Sequence, residues 1–356
     1  MRKLNYLSIL LIGALIIVFA VGTYKEKVRQ SELAILAAEY HTEQEAKQEK
    51  LKLELQQQIQ DEFPGIVAWG DSLTEGGGGN GVKFPNVLQG LISESNLDIP
   101  VENMGVAGED TNTILGRVGS VPFIVGSFTI PEDTSEVEIW LSSSNGQAVW
   151  PLRQGDKMNP VIINGVEGII RIEQESVESA DFSYYFQRSS AGESVEVEDG
   201  TVVETMGSSS FDNYIPIIFI GTNGGYDDEE DLITQINSIL DMGKYNEKYI
   251  VLGLTTGNAE SNEYLESLME SAFGKRFINL REYLVENGLE LAGLEATEAD
   301  LDAISEGSIP PSLLTDEVHF NSQGYTIIGQ VIYQRMNELG DFDKVRKLVR
   351  ELKSIK

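Results

Sequence analysis

Two short apolar runs, each followed by a glycine and polar residues, constrain the fold of this chain most. Residues 65–69 lead into Gly-Asp-Ser at 70–72, and residues 215–220 lead into Gly-Thr-Asn at 221–223. Segments with apolar residues at helical spacing follow these runs. Apolar strands that alternate with amphipathic helices predict a parallel sheet covered on both faces. Open α/β sheets place their functional sites at the edge where such strands end.

A stretch of roughly 90 residues, 120–212, interrupts this alternation. Apolar residues recur at every second position from Val137 through Ile139 to Leu141, and Asn145-Gly146 follows as a hairpin turn. Residues 182–186 alternate in the same way. We therefore predict a small all-β domain inserted between two parts of one α/β domain.

The N-terminus carries a hydrophobic segment. Mostly apolar residues from Leu4 to Gly22 follow a basic Met-Arg-Lys start, and their number is about what a helix needs to cross a bilayer. A cleaved signal peptide needs a shorter apolar core and a small-x-small exit, which Ala20 and Gly22 offer weakly. A retained anchor fits the length better, and a buried core helix fits it least. Anchor and signal peptide both place the rest of the chain outside the cytoplasm.

Residues 25–62 contain strong helix formers and no glycine or proline. Their apolar residues do not keep a heptad throughout, which favours a single solvated stalk over a coiled coil. The predicted segments are a transmembrane anchor or signal segment (1–24), a helical stalk (25–62), the first part of the α/β domain (63–119), the inserted β domain (120–212), the second part of the α/β domain (213–342) and a basic C-terminal helix (343–356).

Charge and residue content exclude several partners and cofactors. Acidic residues outnumber basic ones by 57 to 26, and the net charge of −31 repels nucleic acid and anionic lipid headgroups. The chain has no cysteine, which excludes disulfides and thiolate metal sites. Two distant histidines form no histidine-rich site, so we expect no cofactor and no metal. The acidic run 227–231 fits a helix N-terminus better than an oxygen-only calcium site.

Serine chemistry remains open to this chain. Ser72 is predicted to lie on a tight turn after a buried strand, and a serine needs a neighbouring base with an orienting carboxylate to become a good nucleophile. Of the two histidines, His41 lies among polar residues of the stalk, whereas His319 follows Asp316 by three residues. Each motif is a weak signal alone. Their order along the chain makes Ser72, Asp316 and His319 the candidate catalytic residues.

In this order of motifs the chain resembles the SGNH hydrolases, the GDSL-type esterases and lipases. The resemblance covers about residues 64–120 and 213–340. The matching segments are Gly70-Asp71-Ser72-Leu73 for the first block, Asn103 to Gly108 for the second, Gly221-Thr222-Asn223-Gly224 for the third and Asp316-x-x-His319 for the fifth. By spacing from Asn103, Gly108 matches the second block better than Gly105. The family usually has Asp where this chain has Gly224.

The resemblance implies a role for each matched residue. Ser72 is the implied nucleophile, His319 the general base and Asp316 the acid that orients it. The implied oxyanion donors are the backbone N–H groups of Ser72 and Gly108 and the amide of Asn223, and one such donor is worth about 10²–10³ in rate. The implied fold is a three-layer α/β/α sandwich with a flavodoxin-like parallel sheet, here with the β insertion and an N-terminal transmembrane helix.

The glycine run at 76–81 has no following Gly-Lys-Ser/Thr, so it is not a P-loop, and we interpret it as a flexible loop beside the nucleophile. The β insertion enters between the strands that lead to Gly108 and Asn223. It is expected to wall the substrate cleft or to hold a polymer near the site. Exposed aromatics such as Trp140, Trp150 and Tyr185 are candidates for that contact, unless they form the insertion's own core.

These expectations combine into a membrane-tethered, extracytoplasmic serine esterase. Its substrate is expected to be an acyl ester, above all an acetyl ester, of a small molecule or a polysaccharide. Three alternatives stay open: an O-acyltransferase acting on cell-wall sugars, a lipase or thioesterase, and a glycan-binding surface protein with a degenerate site. The complete set of serine, glycine, asparagine, aspartate and histidine argues against the last alternative.

Overall fold

The computed structural model describes residues 6–147, 149, 157–175, 181–243 and 247–355. Among these residues, those up to Asp61 and those from Lys347 onward form one compact unit, and Glu62–Arg346 form a second unit. The α/β part and the insertion both belong to the second unit.

Helix α1 runs without interruption over Tyr6–Glu62, 57 residues, so the predicted anchor and stalk form one helix. At 1.5 Å per residue it is about 85 Å long. Its most apolar 18-residue window has a mean hydropathy of 2.5 and is not buried in the protein. By length and composition this helix can cross a membrane, and a signal sequence has the same properties.

A parallel sheet and a separate antiparallel sheet confirm the predicted mixture of α/β and β structure. Among the described residues the parallel sheet contains β1 (Ile66–Gly70), β2 (Val101–Gly105), β12 (Ile215–Phe219), β13 (Ile250–Leu252) and β14 (Phe277–Ile278). Their spatial order is β14-β13-β12-β1-β2. The order reverses beside β1, and doubly wound sheets place their sites at such a switch point.

Helices cover both faces of the parallel sheet. Val67 and Trp69 of β1 belong to a buried cluster with residues of α4 (Thr111–Val118), α6 (Glu229–Asp241) and α7 (Ala259–Phe273). On the opposite face, Phe219 of β12 packs edge-on against Phe84, with ring centroids 6.4 Å apart. Phe84 begins α3 (Phe84–Glu94), which packs against α10 (Ser322–Glu338). Because both faces are covered, β1, β12, β13 and β14 are almost wholly apolar, as predicted, whereas the edge strand β2 carries Glu102 and Asn103.

The structure describes five further helices. They are α2 (Ser72–Glu75), α5 (Met206–Ser210), α8 (Leu280–Ala292), α9 (Glu298–Ser305) and α11 (Asp343–Ser354), with 3-10 turns at Gly274–Arg276 and Pro311–Leu313. The side chains of Asp110 and Asp228 cap the N-termini of α4 and α6. No helix was expected for α8 or α9.

The insertion forms its own curled antiparallel sheet. Its described strands are β3 (Phe123–Val125), β4 (Phe128–Ile130), β5 (Val137–Ile139), β6 (Leu141–Ser143), β7 (Val161–Ile163), β8 (Val166–Gln174), β9 (Phe182–Arg188), β10 (Val195–Val197) and β11 (Thr201–Thr205). Seven of them are ordered β5-β9-β8-β7-β11-β3-β6, and β4 pairs with β10. A buried apolar cluster that includes Phe123, Ile163 and Phe186 forms the insertion's core.

One predicted strand of the insertion divides into two. Residues 137–141 were expected to form a single strand, but β5 and β6 pair at opposite ends of the sheet order and only Trp140 separates them. The sheet must therefore curl until its two ends meet at Trp140. The turn at Asn145-Gly146 is present, and no described strand returns from it to pair with β6.

Candidate active site

Ser72, His319 and Asp316 form one chain of hydrogen bonds. Nε2 of His319 lies 2.9 Å from Oγ of Ser72, and Nδ1 of His319 lies 2.8 Å from Oδ2 of Asp316. Ser72 follows β1, whereas Asp316 and His319 lie in the loop before α10. In this geometry the imidazole accepts the serine proton while the carboxylate holds the other ring nitrogen. The fold thus brings together the three residues that the motifs predicted.

The turn that carries the acid and the base fixes the carboxylate through the backbone. Oδ1 of Asp316 accepts hydrogen bonds from the N–H groups of His319 at 2.7 Å and Val318 at 2.8 Å. These two bonds, with the His319 side chain, lower the pKa of Asp316 to about 2. The carboxylate therefore stays charged at neutral and mildly acidic pH, although more than half of its side chain is exposed.

A sharp turn at the end of β1 holds Ser72. Oδ1 of Asp71 accepts a hydrogen bond from the Leu73 N–H at 2.9 Å and caps α2, whose first residue is Ser72. A Cβ atom at Gly70 would lie 2.4 Å from the carbonyl oxygen of Phe219 on the adjoining strand, so only glycine fits there. Ser72 is buried, and its N–H has no acceptor within α2 because it lies in the first turn.

Asp71 is a fully buried carboxylate next to the nucleophile, and the sequence motif assigned it no role of its own. Burial raises the pKa of Asp71 to about 6, because lost hydration outweighs the Leu73 N–H and the nearby Thr222 hydroxyl, which favour the charged form. Asp71 lies within electrostatic reach of His319. A buried carboxyl group with a raised pKa therefore lies close to the base.

The glycine run packs directly on the base. A Cβ atom at Gly77 would lie 2.9 Å from Cδ2 of His319, and one at Gly78 would lie 2.9 Å from Cβ of His319. Gly78 also has φ +79°, which favours glycine. The Tyr325 hydroxyl donates to the Gly77 carbonyl at 2.7 Å, and the Gly77 N–H donates to the Ser72 carbonyl at 2.8 Å. The run lies beside the nucleophile, as predicted, and it also positions His319.

The two other predicted oxyanion donors lie on loops that are bonded to each other. The last residues of β2 and β12 both pair with Gly70, so these loops leave the sheet beside the Ser72 turn. Nδ2 of Asn223 donates to the carbonyl of Glu109, the residue after Gly108, at 2.9 Å. An amide carries two N–H groups, so Asn223 retains one for another acceptor. Gly108 and Asn223 are both exposed.

A buried ion pair anchors the Gly108 loop, and no sequence signal indicated it. Nε of Arg117 donates to Oε2 of Glu109 at 2.8 Å, and both side chains are almost completely buried. Burial raises the pKa of Glu109, and Arg117 offsets only part of that effect. Lys157 of the insertion donates to the carbonyl of Gly105, at the end of β2. The insertion therefore contacts the strand from which the loop emerges.

A polar cleft of about 660 Å³ opens beside Asn223. Its walls are the loop after β12, the starts of α4 and α6, and Asn145 and Gln147 of the insertion. A larger cavity of about 950 Å³ lies along β14 and α10 and holds none of the predicted site residues. We therefore locate the site by its hydrogen-bonded residues and not by cavity size.

The acidic run 227–231 lies at the N-terminus of α6 and caps the helix. Asp228 accepts from the Asp231 N–H at 2.9 Å, and Asp231 accepts from the Asp227 N–H at 3.0 Å. Within the described part of the chain, no group of three or more His, Cys, Asp or Glu side chains is arranged to hold a metal ion. The acidic run therefore caps the N-terminus of α6, as its negative charge predicted.

Comparison with known proteins finds no family model, no curated protein and no solved structure that matches this chain. The class of protein is therefore defined by fold and site: a mixed α/β protein with a Ser-His-Asp constellation at the carboxyl edge of a parallel sheet. Chemically, such a constellation activates a serine hydroxyl for attack on an electrophilic carbonyl.

Proposed function

We propose that this protein is a serine esterase of the SGNH hydrolase type that cleaves acyl esters, with acetyl esters of carbohydrate as the preferred substrate class. The observation that carries the proposal is the hydrogen-bonded chain from Ser72 Oγ through His319 to Asp316. A protein that only binds glycans has no need of a hydroxyl paired in this way.

In the acylation step, Oγ of Ser72 attacks the ester carbonyl carbon while Nε2 of His319 takes the hydroxyl proton. The π electron pair of the carbonyl moves onto its oxygen. The N–H groups of Ser72 and Gly108 and the Asn223 amide are the proposed donors to that oxyanion. When the pair returns, the bond to the alcohol oxygen breaks, and the imidazolium gives its proton to the leaving alkoxide.

In the deacylation step, a water molecule takes the place of the alcohol. His319 accepts one water proton while the water oxygen attacks the acyl carbon. Collapse of the second tetrahedral intermediate breaks the bond to Ser72 Oγ and returns the proton to that oxygen. Asp316 remains ionised throughout and holds the tautomer of His319 that exposes Nε2 as the acceptor.

The direct test is ester hydrolysis by the full chain in detergent micelles. The wild-type protein is expected to release p-nitrophenol from its acetate ester, and Ser72→Ala is expected to abolish the release. Ser210→Ala is the matched control, because Ser210 is exposed and lies outside the site. Equal turnover by wild type and Ser72→Ala would refute the proposed nucleophile.

The same assay separates a hydrolase from an acyltransferase. Both reactions share the Ser72 acyl-enzyme and differ in what accepts the acyl group. With a neutral sugar added as acceptor, we expect free acetate as the main product. Acetylated sugar as the main product would instead assign the chain to the acyltransferases.

The proposed location is a membrane surface, with α1 as a retained anchor and the site outside the cytoplasm. The exposed apolar part of α1 supports this placement. The protein should then sediment with membranes and be degraded by external protease on cells that lack an outer barrier. A soluble form that begins near Thr23 would show that the segment is a cleaved signal peptide.

A further inference from the structure

Two concavities meet at one turn of the insertion. The turn 144–147 is stabilised by Asn145, whose Oδ1 accepts from the Gln147 N–H at 3.0 Å. Asn145 lines the cleft of about 660 Å³ beside Asn223. Gly146 lines a second concavity of about 640 Å³ on the insertion, and Gln147 lines both. The turn is thus a ridge between two adjoining surfaces.

The concavity beside Asn223 is polar and negatively charged. Its described lining contains amide side chains, the hydroxyls of Thr234 and Ser238, and the carboxylates of Asp110, Asp227 and Asp231, and it includes no lysine or arginine. Such a lining repels phosphate and carboxylate groups. Carboxylates accept hydrogen bonds from hydroxyls, and amides both donate and accept. The lining therefore fits a ligand that carries many neutral hydroxyl groups.

The second concavity offers an exposed aromatic face. Trp140 lines it and is 62% exposed, so this side chain is not part of the insertion's core. Tyr185 is different, because the Arg171 guanidinium lies over its ring at 4.6 Å. Trp150 lies outside the described residues. Large aromatic rings provide apolar contact area with little loss of side-chain freedom, and sugar rings have an apolar face of similar size.

We infer that the two concavities form one binding path for an extended, neutral polysaccharide. The unit that carries the ester lies on the Asn223 side, and further units cross the ridge at Gln147 onto Trp140. The inference rests on the proposed esterase function for the orientation of the chain. It goes further in naming the charge class of the substrate and the residues that select it.

The binding test uses the full chain and three unacylated tetrasaccharides of equal length: neutral cellotetraose, anionic tetragalacturonate and cationic tetraglucosamine. The micelles are made from a detergent without a sugar headgroup, so that the path stays free. Affinity is measured by ligand-observed NMR. Cellotetraose is expected to bind, and tetragalacturonate is expected to bind at least tenfold more weakly.

Two variants locate the path. Trp140→Ala and Gln147→Ala are each expected to weaken cellotetraose binding about tenfold, because Gln147 lies on the ridge and Trp140 lies in the concavity beyond it. Tyr264→Ala is the matched aromatic control, 55% exposed on α7, and Asn237→Ala is the amide control, exposed on α6. Neither control lines the two concavities, and both should bind cellotetraose as the wild type does.

A kinetic readout ties the path to catalysis. On acetylated cello-oligosaccharides, kcat/KM of Trp140→Ala and Gln147→Ala should fall about tenfold. On ethyl acetate, whose alcohol is too small to span the path, it should stay within twofold. Contacts remote from the reacting bond matter only for the substrate that makes them.

Failure of this inference and failure of the esterase proposal are distinguishable. If the protein hydrolyses esters but does not bind cellotetraose, or if both variants still bind it, the binding path is refuted and the esterase proposal stands. Equal or tighter binding of tetragalacturonate or of tetraglucosamine, relative to cellotetraose, overturns the neutral class. If cellotetraose binding depends on Trp140 and Gln147 but the protein has no esterase activity, the binding path is supported and the esterase proposal is refuted.

Discussion

The two sides of the candidate site are built differently. On the nucleophile side, His319 is hydrogen-bonded to both Ser72 and Asp316, and Gly77 and Gly78 pack against the imidazole. On the substrate side, exposed loops after β2 and β12 contact each other and share a cleft with the insertion. Close packing fixes the side chains on the nucleophile side. The substrate side presents polar groups that can still form hydrogen bonds to a ligand.

In the proposed esterase, this difference separates the activation of the serine from the selection of the substrate. In the proposed esterase, the hydrogen bonds from Ser72 through His319 to Asp316 are complete without a substrate, so the same geometry would serve any ester that reaches it. The insertion supplies Asn145 and Gln147 to the cleft and Lys157 to the end of β2. Changes on the nucleophile side should therefore affect all esters alike, and changes on the insertion should depend on the alcohol part of the substrate.

The largest effect on activity is expected from substitutions of Ser72 and His319 on the nucleophile side. Ser72→Ala and His319→Ala should each lower kcat on p-nitrophenyl acetate by roughly 10⁴ or more, and the double variant should be little worse than either. Both residues act in one proton transfer, so the loss of one removes most of the value of the other. Losses that multiply in the double variant would show that Ser72 and His319 act independently. Circular dichroism spectra like that of the wild type are the control for folding.

A smaller effect is expected from the substrate side. Asn223→Ala should lower kcat on p-nitrophenyl acetate by about 10²–10³, the usual loss for one oxyanion donor. Asn145→Ala is the matched control, since it removes another amide from the same cleft and should leave this small substrate unaffected. Equal losses in both variants would mean that the amide of Asn223 has no special place in the reaction.

A third variant tests the packing that holds the base. A methyl group at Gly78 would meet Cβ of His319 at 2.9 Å and Oγ1 of Thr315 at 2.3 Å. Gly78→Ala should displace the imidazole and lower kcat/KM about 10²-fold, since misplacement by about 1 Å costs that much. Gly81→Ala is an exacting control, because Gly81 has φ +89° in the same loop with no atom near its Cβ position. If both variants lose activity equally, backbone strain and not the contact with His319 is responsible.

Short-range patterns predicted the parallel sheet and the nucleophile side. The apolar run of β1, the acidic run at the start of α6 and the three-residue step from Asp316 to His319 are all local in sequence. The start of helix α9 is also indicated locally, by a capping box between Thr297 and Asp300 that the sequence interpretation did not use.

The pairing within the insertion depends on distant residues. Val137 of β5 pairs with Phe186, whereas Leu141 of β6, four residues later, pairs with Val125. Alternation of side chains predicts that strands form but not which strands become neighbours. The contact of Gly78 with His319 likewise joins residues far apart in the chain. For this reason the local sequence pattern predicts that the glycine run lies beside the nucleophile but does not reveal that the run supports the base.

The smallest expected effect concerns Asp71, where the two sides of the site meet. Its pKa is raised by burial to about 6, so the protonated form stabilises the fold below about pH 4, and that contribution is lost as the pH rises through 6. Asp71→Asn keeps an oxygen for the Leu73 N–H and removes the buried charge. The free energy of unfolding of this variant, relative to wild type, should therefore rise by about 2 kcal/mol between pH 4 and pH 7.5.

Asp316→Asn is the control for that measurement, because the two carboxylates shift in opposite directions. The pKa of Asp316 is lowered to about 2, so its charged form already contributes to stability at pH 4 and changes little up to pH 7.5. The stability difference between this variant and wild type should be nearly independent of pH over the range. Denaturant titrations of both variants in micelles at the two pH values provide the comparison. If the stability difference between Asp71→Asn and wild type changes as little with pH as that of Asp316→Asn, then the environment of Asp71 does not disfavour its charged form.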